Sequence, residues 1–161
     1  MVDRTCRSEA LVKIAAKHEA HSAIVADILM LPHPASFFDF TISVAVIHHL
    51  STTPRRVQAI AAILETLRPG SPTASNGKAL ICVWALEQKR SRRGWDEDDE
   101  QDVMVPWVMR EKTFHRYYHL YRSGELQSDI SAAGGTVLES GYEKDNWWAI
   151  AMRSTTCVTQ A

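Results

Sequence analysis

The stretch FDFTISVAVIHHLSTTPRRVQAIAAILETLRPG, residues 38–70, decides the fold class. Its first part is rich in aromatic and β-branched residues without strict alternation, which predicts a central strand covered on both faces. Pro54 then begins a helical pattern that ends at Pro69–Gly70. The apolar face of this predicted helix is formed by Val57, Ile60, Ala61, Leu64 and Leu67. Two adjacent histidines, His48 and His49, separate the strand from the helix.

The segments around this stretch continue the alternation of helices and strands. Ser8 is a favourable N-cap for a first helix, SEALVKIAAKHEA, which a short strand, HSAIVADIL, follows. Downstream, GKALICVWAL predicts a buried strand, SGELQSDISAAGG a short helix capped by a serine, and TVLESGYEKDN and WWAIAMR two closing strands. The charged region from Glu87 to Thr113 is expected to be a loop. This order predicts one α/β domain over residues 1–153, followed by a disordered tail at 154–161.

Composition limits the classes of protein that the chain can belong to. With 161 residues, of which 45% are apolar, it can bury one core. Its formal net charge of −1 gives no overall attraction for nucleic acid, so any RNA contact depends on local patches. Cys6, Cys82 and Cys157 are widely spaced, which argues against disulfides and structural zinc. No stretch resembles a signal peptide or a membrane span, so we expect an intracellular protein without a membrane partner.

The two histidines stand where ligand sites form in α/β folds. In such sheets the ligand crevice lies at the carboxyl ends of the strands, and His48 and His49 directly follow the predicted strand. Two adjacent side chains cannot face the same way. One is therefore expected to bond the backbone and the other to face the crevice, although a histidine beside an apolar run is often purely structural.

Two other sets of titratable residues have competing interpretations. Asp27 ends the strand SAIVAD, where its carboxylate could accept hydrogen bonds from a ligand or cap the following loop. His18 and His21 have no third ligand nearby in the sequence. We therefore predict no metal site.

A local charge cluster is the candidate RNA contact. The segment KRSRRGWDEDDEQD places several cations beside six acidic residues, for which a solvated loop is the simplest account. Aromatic residues are interleaved with arginines here and downstream, and such rings can stack on unpaired bases while guanidinium groups hold phosphates. The cations that we assign to RNA contact are Lys89, Arg90, Arg92, Arg93 and Arg116.

Three more segments carry a resemblance to one particular family, beyond the general α/β pattern. ALICVWALEQKRSRRGWDEDDEQDVMVPWV, RYYHLYRSGELQSDISAAGG and GYEKDNWWAIAMR, together with residues 38–70, resemble the eukaryotic tRNA wobble-uridine carboxymethyl methyltransferases. That family includes fungal enzymes and the methyltransferase domain of AlkB-like tRNA-modifying proteins. The resemblance runs from about Ser8 to Arg153. It implies a Rossmann-like class I S-adenosylmethionine (SAM) methyltransferase, with a mostly parallel sheet and an antiparallel closing strand.

The resemblance also implies the reaction. The expected product is the methyl ester of 5-carboxymethyluridine at the tRNA wobble position, with SAM as methyl donor and a small zinc-binding activator subunit as partner. The expected location is the cytoplasm or the nucleus, and no DNA partner is expected. Because a carboxylate is ionised at neutral pH, its attack needs no general base, and catalysis can come from holding the reacting groups in line.

The same resemblance assigns the site residues. Asp27 is expected to face the adenine of SAM, with Ala26 and Val46 beside the cofactor. The methyl-transfer pocket is expected to take one of the two adjacent histidines and residues from two later segments. The assigned pocket residues are His48 or His49, Tyr118, His119, Asn146 and Trp147.

The chain departs from the family pattern near its start. A strand and the glycine-rich SAM loop belong before Ser8, where the sequence has no glycine, and Cys6 stands where an acid normally binds the SAM ribose. SPTASN also interrupts the family's PGGKAL segment. We therefore expect a truncated sheet that lacks its first strand and binds SAM weakly or not at all. The alternative is a non-catalytic derivative that binds RNA or a partner.

Overall fold

The computed structural model describes residues 3–17, 22–70, 75–88, 94–109 and 111–154. Within these ranges, helices and strands alternate as the sequence predicts, which confirms the α/β class. The elements are β1 (Asp3–Cys6), α1 (Glu9–Ala15), β2 (Ser22–Val25), β3 (Phe40–Val44), a 3₁₀ helix (Ile47–His49), α2 (Thr53–Glu65), β4 (Lys78–Trp84), β5 (Asp102–Met109), β6 (Lys112–His119), α3 (Glu125–Ala132), β7 (Gly135–Glu143) and β8 (Asn146–Arg153).

The described strands form three sheets. β1 and β2 pair in parallel, and the largest sheet has the order β3-β4-β8-β7. In that sheet β3 and β4 are parallel, whereas β8 and β7 are the antiparallel closing strands that the sequence predicts. β5 and β6 form a separate antiparallel hairpin.

The main core lies between the four-stranded sheet and helices α2 and α3. Pro54 is in the first turn of α2, as predicted, and the helix ends at Glu65. Apolar side chains of α2 pack on both the sheet and α3. The core includes Ala59, Ile60, Ile63 and Leu64 of α2, Ile81 and Val83 of β4, Leu126 and Ile130 of α3, and Ala149 and Ala151 of β8.

The expectation of a loop from Glu87 to Thr113 is wrong, because β5 and the first residues of β6 lie within that region. The outer half of this hairpin projects from the core, and most of its residues on both faces are exposed. Its sequence therefore lacks the alternation of apolar and polar residues that marks a half-buried strand. Pro106 lies within β5, where it further weakened the strand signal.

The prediction that β3 is covered on both faces is also wrong. Ile42 and Val44 are 61% and 57% exposed, whereas Ser43 between them is buried. β3 is an edge strand of its sheet, and its apolar residues do not by themselves show which of its faces is covered.

The parallel part of the fold is split into two pieces. Among the described strands, β1 has only β2 as a neighbour and β3 has only β4. Both strands line a cavity of about 1490 Å³, to which β3 contributes the consecutive residues Phe40, Thr41, Ile42 and Ser43. Consecutive residues point to opposite faces of a strand, so it is the unpaired edge of β3 that borders the cavity.

Three smaller differences concern segment ends. β1 precedes α1, although the sequence patterns indicated no strand before Ser8, which is the N-cap of α1 as predicted. The N-cap of α3 is Gly124, with φ of 83°, rather than a serine. Ser154, assigned to the tail, donates its backbone N–H to Gly134 O at 3.0 Å, and residues 155–161 lie outside the described ranges.

No helix in the described part is long and apolar enough to cross a membrane.

Candidate functional site

The chain turns sharply between β3 and the histidine pair. Ala45 has φ of 58°, a left-handed conformation that is uncommon for a residue other than glycine. Its N–H donates to Cys82 O of β4 at 3.1 Å, which holds the turn against the sheet. The 3₁₀ helix Ile47–His49 follows, so the two histidines lie on this helix at the carboxyl end of β3.

His48 is fully buried beneath the end of the sheet. Its Nδ1 accepts a hydrogen bond from the backbone N–H of Trp84 at 3.0 Å, and its Nε2 has no hydrogen-bond partner. Burial, followed by the nearby His49, lowers the pKa of His48 to about 3. The ring is therefore neutral at physiological pH and holds the carboxyl end of β4 in place.

His49 is exposed and lines the cavity. Its Nδ1 lies 2.9 Å from the carbonyl oxygen of Tyr117 and must donate to it, because a carbonyl only accepts. Nε2 then carries a proton only when the ring is protonated. With Nδ1 bonded to Tyr117, Nε2 is the ring nitrogen of His49 that remains for a ligand.

Four rings form an aromatic cluster at the carboxyl ends of β3 and β4. Tyr118 stacks on Trp84 with the ring centroids 4.3 Å apart, and it also contacts both histidines, with centroid distances of 5.0 Å to His48 and 4.4 Å to His49. Sequence analysis missed Trp84. Its position near the carboxyl end of the predicted buried strand GKALICVWAL was the signal that could have indicated it.

The cavity brings together the predicted cofactor residues Ala26 and Val46 with His49. Arg116 and Tyr117 of β6 also line it, and with Arg7 and Arg68 three arginines border the same space as the predicted site. The Ser43 hydroxyl is buried in this wall and has no hydrogen-bond partner. The cavity therefore combines strand ends with two imidazoles, three guanidinium groups and one carboxylate, an excess of positive groups that suits an anionic ligand.

Asp27 makes a capping contact in the structure. Its Oδ1 accepts a hydrogen bond from Leu29 N at 3.0 Å, and its Oδ2 lies 3.6 Å from Arg7 Nε. Ala26 and Arg7 line the cavity directly beside it. The capping role of Asp27 is thus visible, and its contact with adenine stays a prediction.

His119 lies away from the aromatic cluster, between two carboxylates. Its Nδ1 is 2.9 Å from Asp102 Oδ1 and its Nε2 is 2.6 Å from Glu125 Oε1. Burial acts to lower the pKa of His119, but hydrogen bonds to Glu125 and Asp102 outweigh it and the pKa is raised. The protonated ring links the hairpin to α3, and we name this group, Asp102, His119 and Glu125, the carboxylate clamp.

Buried charges behind the carboxylate clamp are also paired. Arg56 of α2 is almost fully buried, with Asp129 Oδ2 and Glu125 Oε1 each 3.4 Å from its guanidinium. The Tyr121 hydroxyl donates to Asp129 Oδ2 at 3.0 Å. α2, α3 and the hairpin are therefore joined by one buried polar network.

Asn146 and Trp147 begin β8, and Asn146 pairs with Trp84 at the carboxyl end of β4. They therefore lie at the same edge of the sheet as the aromatic cluster. Trp147 Nε1 donates to Glu87 Oε2 at 3.1 Å, and its ring meets Tyr142 edge-on at 5.0 Å. This second group does not line the cavity described above, and its role in methyl transfer stays a prediction.

The predicted RNA contacts differ in how much the structure says of them. Lys89, Arg90, Arg92 and Arg93 lie outside the described residues. Arg116 is described, and its guanidinium carbon lies 4.4 Å from the ring centroid of Trp107. Within the described ranges, no cluster of three or more His, Cys, Asp or Glu side chains could hold a metal ion.

Known proteins with similar sequences share this arrangement of segments. The sequence is 43% identical to the tRNA (carboxymethyluridine(34)-5-O)-methyltransferase of Schizosaccharomyces pombe over 164 residues, covering 89% of the chain and 68% of that protein. It is 35% identical to the Saccharomyces cerevisiae enzyme of the same name, over 91% of the chain and 74% of that protein. The chain belongs to this methyltransferase family. Residues 2–74 also match the family described as Methyltransferase domain.

Solved structures support the same fold. A SAM-dependent methyltransferase from Methanosarcina mazei superposes with a TM-score of 0.72, at 13% identity, over 94% of this methyltransferase chain and 81% of that one. A SAM-bound amino pentose methyltransferase from Micromonospora echinaspora gives 0.68, at 14% identity, over 95% and 74% of the two chains. The predicted class I methyltransferase fold is therefore confirmed.

The fit of SAM to this methyltransferase is incomplete. The cavity is large enough, because small-molecule sites commonly measure about 300–1,000 Å³. At the end of β1, however, the side chain is the Cys6 thiol, whose Sγ accepts a hydrogen bond from Ser8 N at 3.4 Å. A thiol is a much weaker partner for ribose hydroxyls than a carboxylate. The described residues fit the cofactor in volume and not in ribose recognition.

Proposed function

We propose that this chain acts in SAM-dependent formation of the methyl ester of 5-carboxymethyluridine at the tRNA wobble position. One observation carries the proposal in the structure: His49 and Tyr118 stand together at the carboxyl end of β3, where His49 and Arg116 border the cavity. The names of the fungal relatives support the substrate. The same substrate suggests a cytoplasmic or nuclear location.

The chemistry needs little from the protein beyond positioning. When bound, SAM would supply an electrophilic methyl group to a carboxylate oxygen of the uridine, and Ala26 and Val46 of the cavity lining would lie beside it. No proton moves, so no general base is required. His48 need not act as a base, because its pKa is lowered to about 3 and its buried ring serves as a structural group.

The remaining groups can hold the carboxymethyluridine. Arg116 provides positive charge on the cavity wall, where its guanidinium can donate to a carboxylate, and His49 lies on the same wall. Tyr118 is packed against Trp84, so its ring is fixed rather than mobile. Tyr118 does not itself line the cavity, but it packs against His49 and fixes that ring, and fixed groups favour an in-line arrangement of the reacting atoms.

The activator subunit is part of the proposal. Among the described strands β2 pairs only with β1, and Val25 at its end is 50% exposed. We place the small zinc-binding subunit on this edge of β2, where it would pair with backbone groups and cover apolar surface. Co-expression should therefore increase the soluble yield of the chain. Equal yield and equal thermal stability with and without the subunit would contradict this placement.

The function is tested by methyl ester formation. The purified chain and activator subunit are incubated with methyl-labelled SAM at millimolar concentration and an anticodon stem-loop RNA containing 5-carboxymethyluridine. Mass spectrometry of the nucleosides should show the labelled ester, and His49→Ala should reduce it by about tenfold, as expected for loss of one ligand-facing hydrogen bond on the cavity wall.

His115→Ala is the matched control, because this histidine is exposed on β6 and does not line the cavity. It should leave ester formation unchanged. Absence of ester at a SAM concentration where binding is detected would contradict the proposed function, and equal loss in both variants would remove His49 from its assigned role.

A further inference from the structure

The hairpin of β5 and β6 has two chemically different faces. Residues directly opposite each other in an antiparallel pair lie on the same face, and the pairs here include Val105 with Arg116 and Trp107 with Phe114. One face therefore carries an aromatic pair between two cations. We name it the platform face, and its residues are Val105, Trp107, Met109, Lys112, Phe114 and Arg116.

The platform face begins inside the protein and ends in solvent. Val105 is buried in a small core with Tyr118, which contacts His49 of the aromatic cluster. Further out, Trp107 and Phe114 are 45% and 47% exposed. The platform face thus runs from beside the buried Tyr118, past Val105 and Arg116, to the exposed rings of Trp107 and Phe114 in the outer half of the hairpin.

Charge on the platform face is positive. The Arg116 guanidinium lies over the Trp107 ring at 4.4 Å, and Lys112 follows on the same face beyond Phe114. Arg116 also lines the cavity, so it connects the two regions. On the opposite face, the outer side chains are Pro106, Val108, Thr113 and His115, which include neither a large apolar ring nor an arginine or lysine.

We propose that the platform face stacks the unpaired bases that flank the wobble nucleotide of the RNA substrate. Rings alternating with cations match a single strand, in which every base has a face for stacking and every linkage carries a phosphate. A wobble nucleotide lies in a loop, so its neighbours are unpaired and reach the hairpin when its base enters the cavity. The platform rests on the proposed function and adds the surface that holds the flanking bases.

Stacking is tested with the full chain and two anticodon stem-loop RNAs, one with 5-carboxymethyluridine and one with uridine at the wobble position. Trp107→Leu removes a ring from an exposed position and should weaken binding of both RNAs by about 5-fold to 100-fold. Trp107→Phe keeps a ring and should bind within about threefold of wild type. Arg116→Gln should lower the slope of log affinity against log salt by about 0.7 for each single-strand phosphate that the variant no longer neutralises.

Val108→Leu is the matched control, because Val108 is 69% exposed on the opposite face of the same strand. It should bind both RNAs as wild type does. Wild-type affinity in Trp107→Leu, equal loss in Val108→Leu, or no measurable RNA binding by the wild-type chain would each overturn the platform.

The two RNAs separate this proposal from the proposed function. If wild type does not distinguish carboxymethyluridine from uridine, yet Trp107→Leu weakens both, the platform holds and the wobble specificity fails. If wild type does distinguish them and Trp107→Leu has no effect, the platform fails and the proposed function stands.

Discussion

At the scale of single residues, His48 and His49 show how neighbouring side chains of one type acquire different properties. His48 is buried under Trp84 and Tyr118, whereas His49 is exposed on the cavity wall. The sequence indicates that the rings of two adjacent histidines must face different ways. It could not indicate which one is buried, because Tyr118 comes from a distant hairpin that the sequence patterns did not predict.

This difference predicts that His48 and His49 contribute unequally to the free energy of unfolding. His48→Ala removes a core ring and leaves the Trp84 N–H without its acceptor, so the free energy of unfolding should fall by about 2–5 kcal/mol. His49→Ala removes an exposed ring and should cost less than about 1 kcal/mol. Urea unfolding of the two variants measures both values. Equal losses would show that the burial of His48 does not govern its contribution.

At the scale of elements, the carboxylate clamp holds the β5–β6 hairpin to α3. The segments of α2 and α3 were predicted well, because each has an apolar face with helical spacing. The clamp was not predictable, since Asp102, His119 and Glu125 meet only when the hairpin folds back. Its residues also lay partly in a region assigned to a loop.

The clamp should make stability depend on pH above neutrality. Because its pKa is raised above the ordinary 6.5, His119 contributes stability that is full below pH 6.5 and is lost as pH rises through the raised value. Burial acts to raise the pKa of Glu125, but its hydrogen bonds outweigh burial and the pKa is lowered. Glu125 therefore contributes stability that is present above pH 4.5 and is lost as the pH falls through the lowered value. His119→Gln should therefore flatten the decline of the unfolding free energy as pH rises above 6.5, as measured by urea unfolding.

The control for the clamp is His115→Gln, an exposed histidine on the same strand. Its pH profile should match that of wild type on the alkaline side. His48 contributes separately, because its lowered pKa makes the folded chain less stable as pH falls from 6.5 toward about 3. An alkaline decline that persists in His119→Gln would assign it to another group.

At the scale of the whole molecule, the fold class followed from the order of predicted elements and the family from three quoted segments. The described parallel strands fall into two separate sheets, a division that the order of elements did not indicate. The prediction that β3 is covered on both faces was wrong, because an apolar strand has the same sequence whether or not a neighbour covers it.

The whole-molecule prediction concerns the methyl donor. The chain should bind SAM weakly, and Cys6→Asp should strengthen binding by roughly tenfold to a hundredfold, because one charged hydrogen bond contributes about 1.5–3 kcal/mol. Cys6→Ser, which changes the thiol to a neutral hydroxyl, is the matched control and should give a much smaller gain. Calorimetric titration measures all three. Micromolar binding by the unaltered chain, or no gain in Cys6→Asp, would mean that the ribose does not meet the end of β1.

The unpaired edge of β3 has a consequence for the lifetime of the protein in a cell. Phe40, Ile42 and Val44 are all more than half exposed on a strand without a charged residue. Such an edge can pair with any other extended chain, and exposed apolar segments of this kind are bound by chaperones and cleared by proteases. The abundance of the protein would then depend on how soon after synthesis the edge of β3 is covered, more than on the rate at which the chain is made.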